Sequence, residues 1–423
     1  MWRRNAARIA VVGACGLLAQ STRARAETVD ATSTTMITGR PDLRDGVVHT
    51  SVPLFELVSV RATDLHLRGV DDLTVVMSGW GMVSLADPAE GKRGLGDLDV
   101  AYAEGTVLDR RIRLRLGRQL LIAGAGRNLA FDGLDLTVRI WRGLGVSAQA
   151  GVPVTPRFAV DRGDAMVGGR LYFRPRFDTE AGVSILHVLD NGQIFRQDAA
   201  LDARVAPVRI LALTGFARFS IYDRRLAEGD LAATVQLGQR VELTGDYRRT
   251  APDLFLPRNS IFSVFSQETR DEAGGFVYLK LAARLRFQGQ YHAIVNADGF
   301  GQDADGKLTA SFGSERRTSA GVESRLLDVP SGGGYLMGRA FAFVALAPGA
   351  FAAADVSSFF LDTKVNDQSR SYTAAGTLAY DFRPDWRVAV TGIGSVTPFA
   401  ERRFEGMAKV IYRFTTHVKE VKP

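Results

Sequence analysis

Cysteine is nearly absent. The 423-residue chain has one, Cys15, and it sits in an N-terminal segment built like a secretory leader. MWRRNAAR is basic, with Arg3, Arg4 and Arg8; residues 9–19 are an apolar run; Ala24-Arg25-Ala26 is a small-x-small site before Glu27. The run is too short to span a bilayer, and this anatomy predicts a signal peptide over residues 1–26, cleaved after Ala26. Residues 12–15 (VGAC) form a second, looser box of the lipoprotein kind. A chain starting at Glu27 has no cysteine, which excludes disulfides and cysteine-ligated zinc.

Long apolar runs are missing as well. After residue 26 none reaches the roughly 18 residues that a membrane helix needs. The nearest, AFAFVALAPGAFAAA over 340–354, is broken by Pro348-Gly349. Excess charge is also lacking. Losing the leader removes five arginines and no acid, which takes the formal balance from +7 to +2 and leaves little to support nucleic-acid binding. Catalytic signatures are absent: His49, His66, His187, His292 and His417 form no HExxH or HxH, and there is no Gly-x-Ser-x-Gly or nucleotide fingerprint. No enzyme chemistry and no cofactor is expected. The one metal-like stretch is NADGFGQDADGK, where Asp298, Asp303 and Asp305 faintly suggest a calcium loop; it lacks the closing acid, so a solvated loop is the plainer reading.

What the chain has instead is alternation. Apolar residues rarely recur at helical spacing. Segments of about 8–14 residues alternate in polarity, among them 98–108, 111–122, 132–141, 179–189, 371–382 and 386–396, and a period of two is the mark of β-strands. Tight connections (109–110, 142–143, 174–176, 206–207, 348–349, 383–385) alternate with longer polar ones (86–94, 123–131, 154–164, 222–229, 296–307, 328–334, 362–370, 397–402), the longest being 250–274. Short turn, long loop, short turn is the rhythm of a transmembrane β-barrel. The expected fold is all-β: one antiparallel barrel over residues 27–414, of about 18–22 strands and an even count. Aromatics at strand ends on the apolar face (Tyr380, Phe382, Trp386, Tyr412, Phe414) favour a membrane barrel over a soluble sandwich, since lipid interfaces collect them as a girdle.

Two stretches resemble a known family. LRLGRQLLIAGAGRNLAFDGLDL (114–136) is similar to the segment of Gram-negative porins, of the alginate-export and phosphate-selective groups, in which GRQ, a loop and DG follow one another. The final strand, GMAKVIYRF (406–414), is similar to the outer-membrane insertion signal, with Tyr412 and Phe414 as its closing aromatics. It departs from that pattern in one respect: TTHVKEVKP (415–423) follows, expected as a periplasmic tail. The resemblance implies a place in the cell outer membrane and passive diffusion of small hydrophilic solutes. The partners it implies are outer-membrane lipid, lipopolysaccharide and the barrel-assembly machinery; a homo-oligomer is left open. The alternatives are a barrel specialised for polysaccharide or hydrophobic-solute export, a structural or adhesive barrel, and a membrane-embedded hydrolase.

Arg111, Arg113 and Arg115 share one face of their strand. They read either as a cationic ladder along a pore or as partners of Asp97, Asp99 and other interior acids. A three-residue turn at 108–110 predicts that Gly105 pairs with Arg113 and Ala103 with Arg115. Lys409 and Arg413 share the water-side face of the last strand. Arg118, Gln119 and Asp132 are candidates for ordering a loop at the mouth, with Gly133 serving either that arrangement or a turn.

Overall fold

The fold was analysed in a computed structural model that describes residues 26–44, 47–65, 67, 69–86, 93–154, 164–176, 178–254, 268–313, 317–330 and 333–417. The expected leader thus lies outside the described residues except for Ala26, as do residues 87–92, 155–163, 255–267 and 331–332 of connections expected to be long and residues 418–423 of the expected tail.

Among the described residues, twenty-three strands run from Ala26–Arg44 to Ala400–His417, each antiparallel to its neighbour. The short strand Val47–Ser51 pairs only with the upper end of the first. The other 22 form a ring, because Ala26–Arg44 pairs with Pro53–Leu65 on one side and with Ala400–His417 on the other. Closure leaves those 22 strands without an unpaired edge, a requirement for a sheet in lipid. The even count falls within the expected range. The stretch 406–414 closes the ring as expected, from Gly39 opposite Gly406 to Thr28 opposite His417. That ladder continues three residues past Phe414, so Thr415, Thr416 and His417 belong to the last strand.

The two faces of the ring differ. In Gln368–Arg383, Tyr372, Leu378, Tyr380 and Phe382 are exposed while the intervening residues are partly covered. On a closed sheet, convex side chains splay and concave ones crowd, so the apolar exposed set is the outer face. Paired residues share a side. The outer set therefore carries round the ring through Val390, Phe404, Leu116, Leu134, Val167 and Leu231, all well exposed. Phe382, Trp386 and Tyr412 stack on one another across three strands of this face, 5.9 and 4.6 Å between centroids.

Several connections expected to be long loops are strands. Gly299–Phe312, Arg225–Leu237, Gln368–Arg383 and Ala400–His417 each begin just after a short turn, at 297–298, 221–224, 366–367 and 398–399. Their polar sequence has a physical reason. Beyond an apolar belt both faces of a strand meet water, so alternation fades while the ladder continues.

Candidate functional site

The interior takes its shape from the loop between Ile112–Leu120 and Ala130–Trp141. It closes on itself, with Leu121 N–H on Leu129 O at 3.0 Å and Asn128 N–H on Leu121 O at 2.8 Å, and contains a single 3-10 turn, Gly124–Gly126. The loop lies against the concave face of distant strands. Ala125 N–H donates to Ser184 Oγ at 2.8 Å, and Arg196 donates to Ala125 O at 2.8 Å. Arg127 reaches Glu228 at 3.1 Å and Asp230 at 3.4 Å, and lies 4.5 Å over the Phe216 ring. Gly124 has φ of +70°, and a Cβ there would press on the Ser184 side chain, so the turn requires glycine. Leu121, Ala125, Phe131, Met166, Leu186 and Phe216 form the apolar cluster that seats the loop.

Behind the loop lies a chain of charge pairs. Arg196 pairs with Asp198, and Arg218 with Glu228 at 3.1 Å. Asp198 is 1 % exposed, which is tolerable for a carboxylate only with cations close by. None of Arg127, Arg170, Arg196, Asp198, Arg218, Glu228 and Asp230 stood out in the sequence. The usable signal was their alternation, as in Arg196-x-Asp198-x-x-x-Asp202-x-Arg204, a charged face on a strand whose other face is apolar.

Below the loop, toward the end of the barrel that carries both chain termini, is a recess of about 580 Å³. Seven arginines line it (110, 111, 113, 115, 139, 170 and 174) against four acids, Asp72, Glu104, Asp135 and Glu180. The three expected arginines are all here, but their partners differ from the expected ones. The turn spans Leu108 to Arg111, one residue longer than expected, so Glu104 pairs with Arg115 and Thr106 with Arg113. A one-residue slip exchanges faces: Ala103 and Gly105 face outward, and Tyr102 and Glu104 face the arginines. Arg115 binds Glu104 at 2.7 Å and lies 4.6 Å over Tyr102. Arg113 donates to Thr137 at 3.1 Å. Asp97 and Asp99 are not partners of this ladder. Ser78 pairs with Val100 and Gly79 with Leu98, which leaves Asp99 as the extra residue of a bulge.

Arg118, Gln119 and Asp132 separate. Arg118 grips Asp132 through two bonds of 2.8 and 2.9 Å and touches Asp97 at 3.3 Å. By alternation Arg118 shares the outer side with Leu116 and Leu120. The pair ties the two strands at the stem of the loop to each other and to the strand that carries Asp97. Gln119 is buried on the inner side and donates to Gly133 O at 3.1 Å. Gly133 is not in a turn. It stands in register between Gly117 and Gly151 on three strands, where a Cβ would collide with Ala150 O. Lys409 and Arg413 alternate onto the inner face with Met407 and Ile411.

The aspartates of 298–305 are not gathered. Asp298 lies in a turn, and Asp303, on the inner face of Gly299–Phe312, is held by Arg325 through two bonds of 2.8 and 2.7 Å. No group of three or more His, Cys, Asp or Glu that could hold a metal occurs among the described residues. His292 hydrogen-bonds both carboxylate oxygens of Asp246, at 3.1 and 3.0 Å.

No family model matches the sequence, and no curated protein does. Solved structures resemble it in fold. The outer membrane protein opdK of Pseudomonas aeruginosa has 12% identity and a TM-score of 0.47, over 92% of this chain and 98% of that one. OccK8 (OprE) of the same organism has 11% identity and 0.47, over 92% and 98%. OccAB1 of Acinetobacter baumannii has 11% and 0.44, over 94% and 99%.

Proposed function

We propose that this barrel spans an outer membrane, with both termini toward the periplasm, and passes small hydrophilic solutes by passive diffusion, anions in preference to cations. The apolar convex face is suited to lipid, and the closed ring satisfies its backbone without water. The concave face, polar and charged, is the path. The loop 121–129 narrows that path, held by Ser184, Arg196, Glu228 and Asp230. Selection then rests on radius at the loop and on charge below it.

The observation that carries the preference for anions is the recess, with seven arginines against four acids in its lining and Asp202 as a fifth carboxylate, on Arg170. Arg111 and Arg139 have no carboxylate partner among the described contacts. In a confined space with low-dielectric walls such an excess raises the local concentration of anions. No covalent step and no cofactor enters this reading. Planar-bilayer recording of the purified protein tests it. Discrete channels are expected, with a reversal potential of anionic sign in a salt gradient. Absence of channels across independent preparations would favour a specialised or non-conducting barrel.

A further inference from the structure

The short turns that the structure describes differ in charge between the two ends of the barrel. At the far end, the five short turns that the structure describes hold Asp223, Asp298 and Asp367 against one arginine, Arg224. At the terminus end, arginine recurs turn after turn. Arg110, Arg142, Arg209, Arg240 and Arg284 lie in turns, Arg383 closes the strand before one, and all six are exposed. Acids are fewer there: Asp71, Asp109, Asp178 and Asp385. Arg110 is partly neutralised by Asp72, at 2.7 Å.

Each of these arginines stands within three residues of a large apolar side chain that is also exposed: Leu108, Trp141, Ile210, Leu237, Leu281 and Phe382. The unit of one apolar anchor and one guanidinium thus repeats around the rim. Phe382 is a girdle residue of the interfacial kind, and Trp141 lies under the Arg142 guanidinium at 4.9 Å. A guanidinium just beyond such an anchor lies at headgroup depth, where its forked donors suit a phosphate.

We infer that this rim of arginines binds the phosphates of anionic phospholipids in the leaflet that meets the terminus end. The inference rests on the membrane placement proposed above but not on conduction. A soluble polyanion would use the guanidinium groups alone, and nothing in that chemistry calls for an apolar anchor beside each one. The repeated pairing is what singles out a lipid, whose acyl chains and phosphate are joined at the same spacing. The guanidinium groups hold the leaflet around the whole circumference and fix the depth of the barrel.

The test is native mass spectrometry of the full chain in micelles doped equally with phosphatidylglycerol and phosphatidylethanolamine. Phosphatidylglycerol is expected to be retained preferentially, and the preference to fall as ionic strength rises. A variant with Arg209→Gln, Arg240→Gln, Arg284→Gln and Arg383→Gln should lose at least about fivefold in that preference, since one cation at an anionic surface is worth about that factor. The corresponding lysine variant should keep most of it. Equal retention of the two lipids by the native protein, or a preference that the glutamine variant keeps, would overturn the inference. Preferential retention of lipid A over phosphatidylglycerol through these same arginines would overturn it too, by assigning the rim to the other leaflet. If the glutamine variant does not fold, the salt dependence of the native protein decides. Bilayer conductance reads the channel proposal separately, since a barrel without lipid preference still conducts.

Discussion

Two arcs of one wall treat their interior differently. From Gly94–Val107 round to Arg225–Leu237 the inner face is charged and covered, with a loop packed on it and Phe131, Leu186, Asp198 and Arg218 almost wholly buried. From Ala350–Val365 round to Ala400–His417 it carries mainly small or hydroxylic residues over the middle of its strands. Ala353, Ala375, Ala389, Thr377 and Thr391 face inward there, and Thr377 and Thr391 share a hydrogen bond of 2.8 Å. Backbone geometry and pairing are the same in both arcs. The difference is that the first arc has an element to hold, the loop, and the charges that hold it must be paired because they leave water. Among the described residues no loop is packed on the second arc, and its inward charges, the pairs Arg387–Asp381 and Arg403–Glu405 with Lys409 and Arg413, stay partly exposed and need not leave water. Solute selection and folding stability therefore fall on the same side of the barrel.

That contrast can be broken most severely at Asp198. Asp198→Ala leaves Arg196 and Arg218 buried with one carboxylate fewer and should cost about 3–5 kcal/mol. Thr391→Ala in the other arc removes a neutral hydrogen bond and should cost about 1 kcal/mol. Urea unfolding of the refolded proteins in micelles measures both, and equal losses would show that the arcs do not differ. Next in size is a pair of glycines. Gly133→Ala drives a methyl into Ala150 O and should cost about 1–3 kcal/mol. Gly392, in the second arc, has open space where a Cβ would stand, and Gly392→Ala should stay within about 0.5 kcal/mol of the native protein. Smaller in stability, but visible in conductance, is Arg127→Ala. Its carboxylate partners are partly exposed, so the loss should be about 1 kcal/mol or less, while the loosened loop widens the path. Single-channel recording should then show a larger or noisier conductance; an unchanged trace would remove the loop from the path.

Much of this fold was legible in the residues. The alternation of 371–382 and 386–396, with aromatics at one end, was enough to place those strands and their faces. The closing role of 406–414 followed from its two aromatics and its position. What escaped has physical causes. Strand tops such as Gly299–Phe312 read as loops because both of their faces are polar beyond the apolar belt. The pairing of 103–106 with 112–115 was read one residue out because turn length is set by backbone conformation: Leu108, Asp109 and Arg110 all have positive φ, which no simple rule assigns to that trio. The network behind the loop was invisible for a different reason. Ser184, Asp198 and Glu228 are ordinary residues on separate strands, and only closure of the ring brings them against a loop that follows residue 120. The arginines at 111, 113 and 115 were found because their alternation is local; the partners that decide their charge were not.

The claim that the charged arc is the path is tested most directly by the reversal potential of the triple variant Arg111→Gln, Arg113→Gln, Arg115→Gln, recorded in the same salt gradient as the native protein. The account predicts channels of similar size whose anion preference is lost or reversed, because the recess then holds four arginines against four acids in its lining and Asp202 beside Arg170. An unchanged reversal potential would contradict it, and would place the path along the other arc.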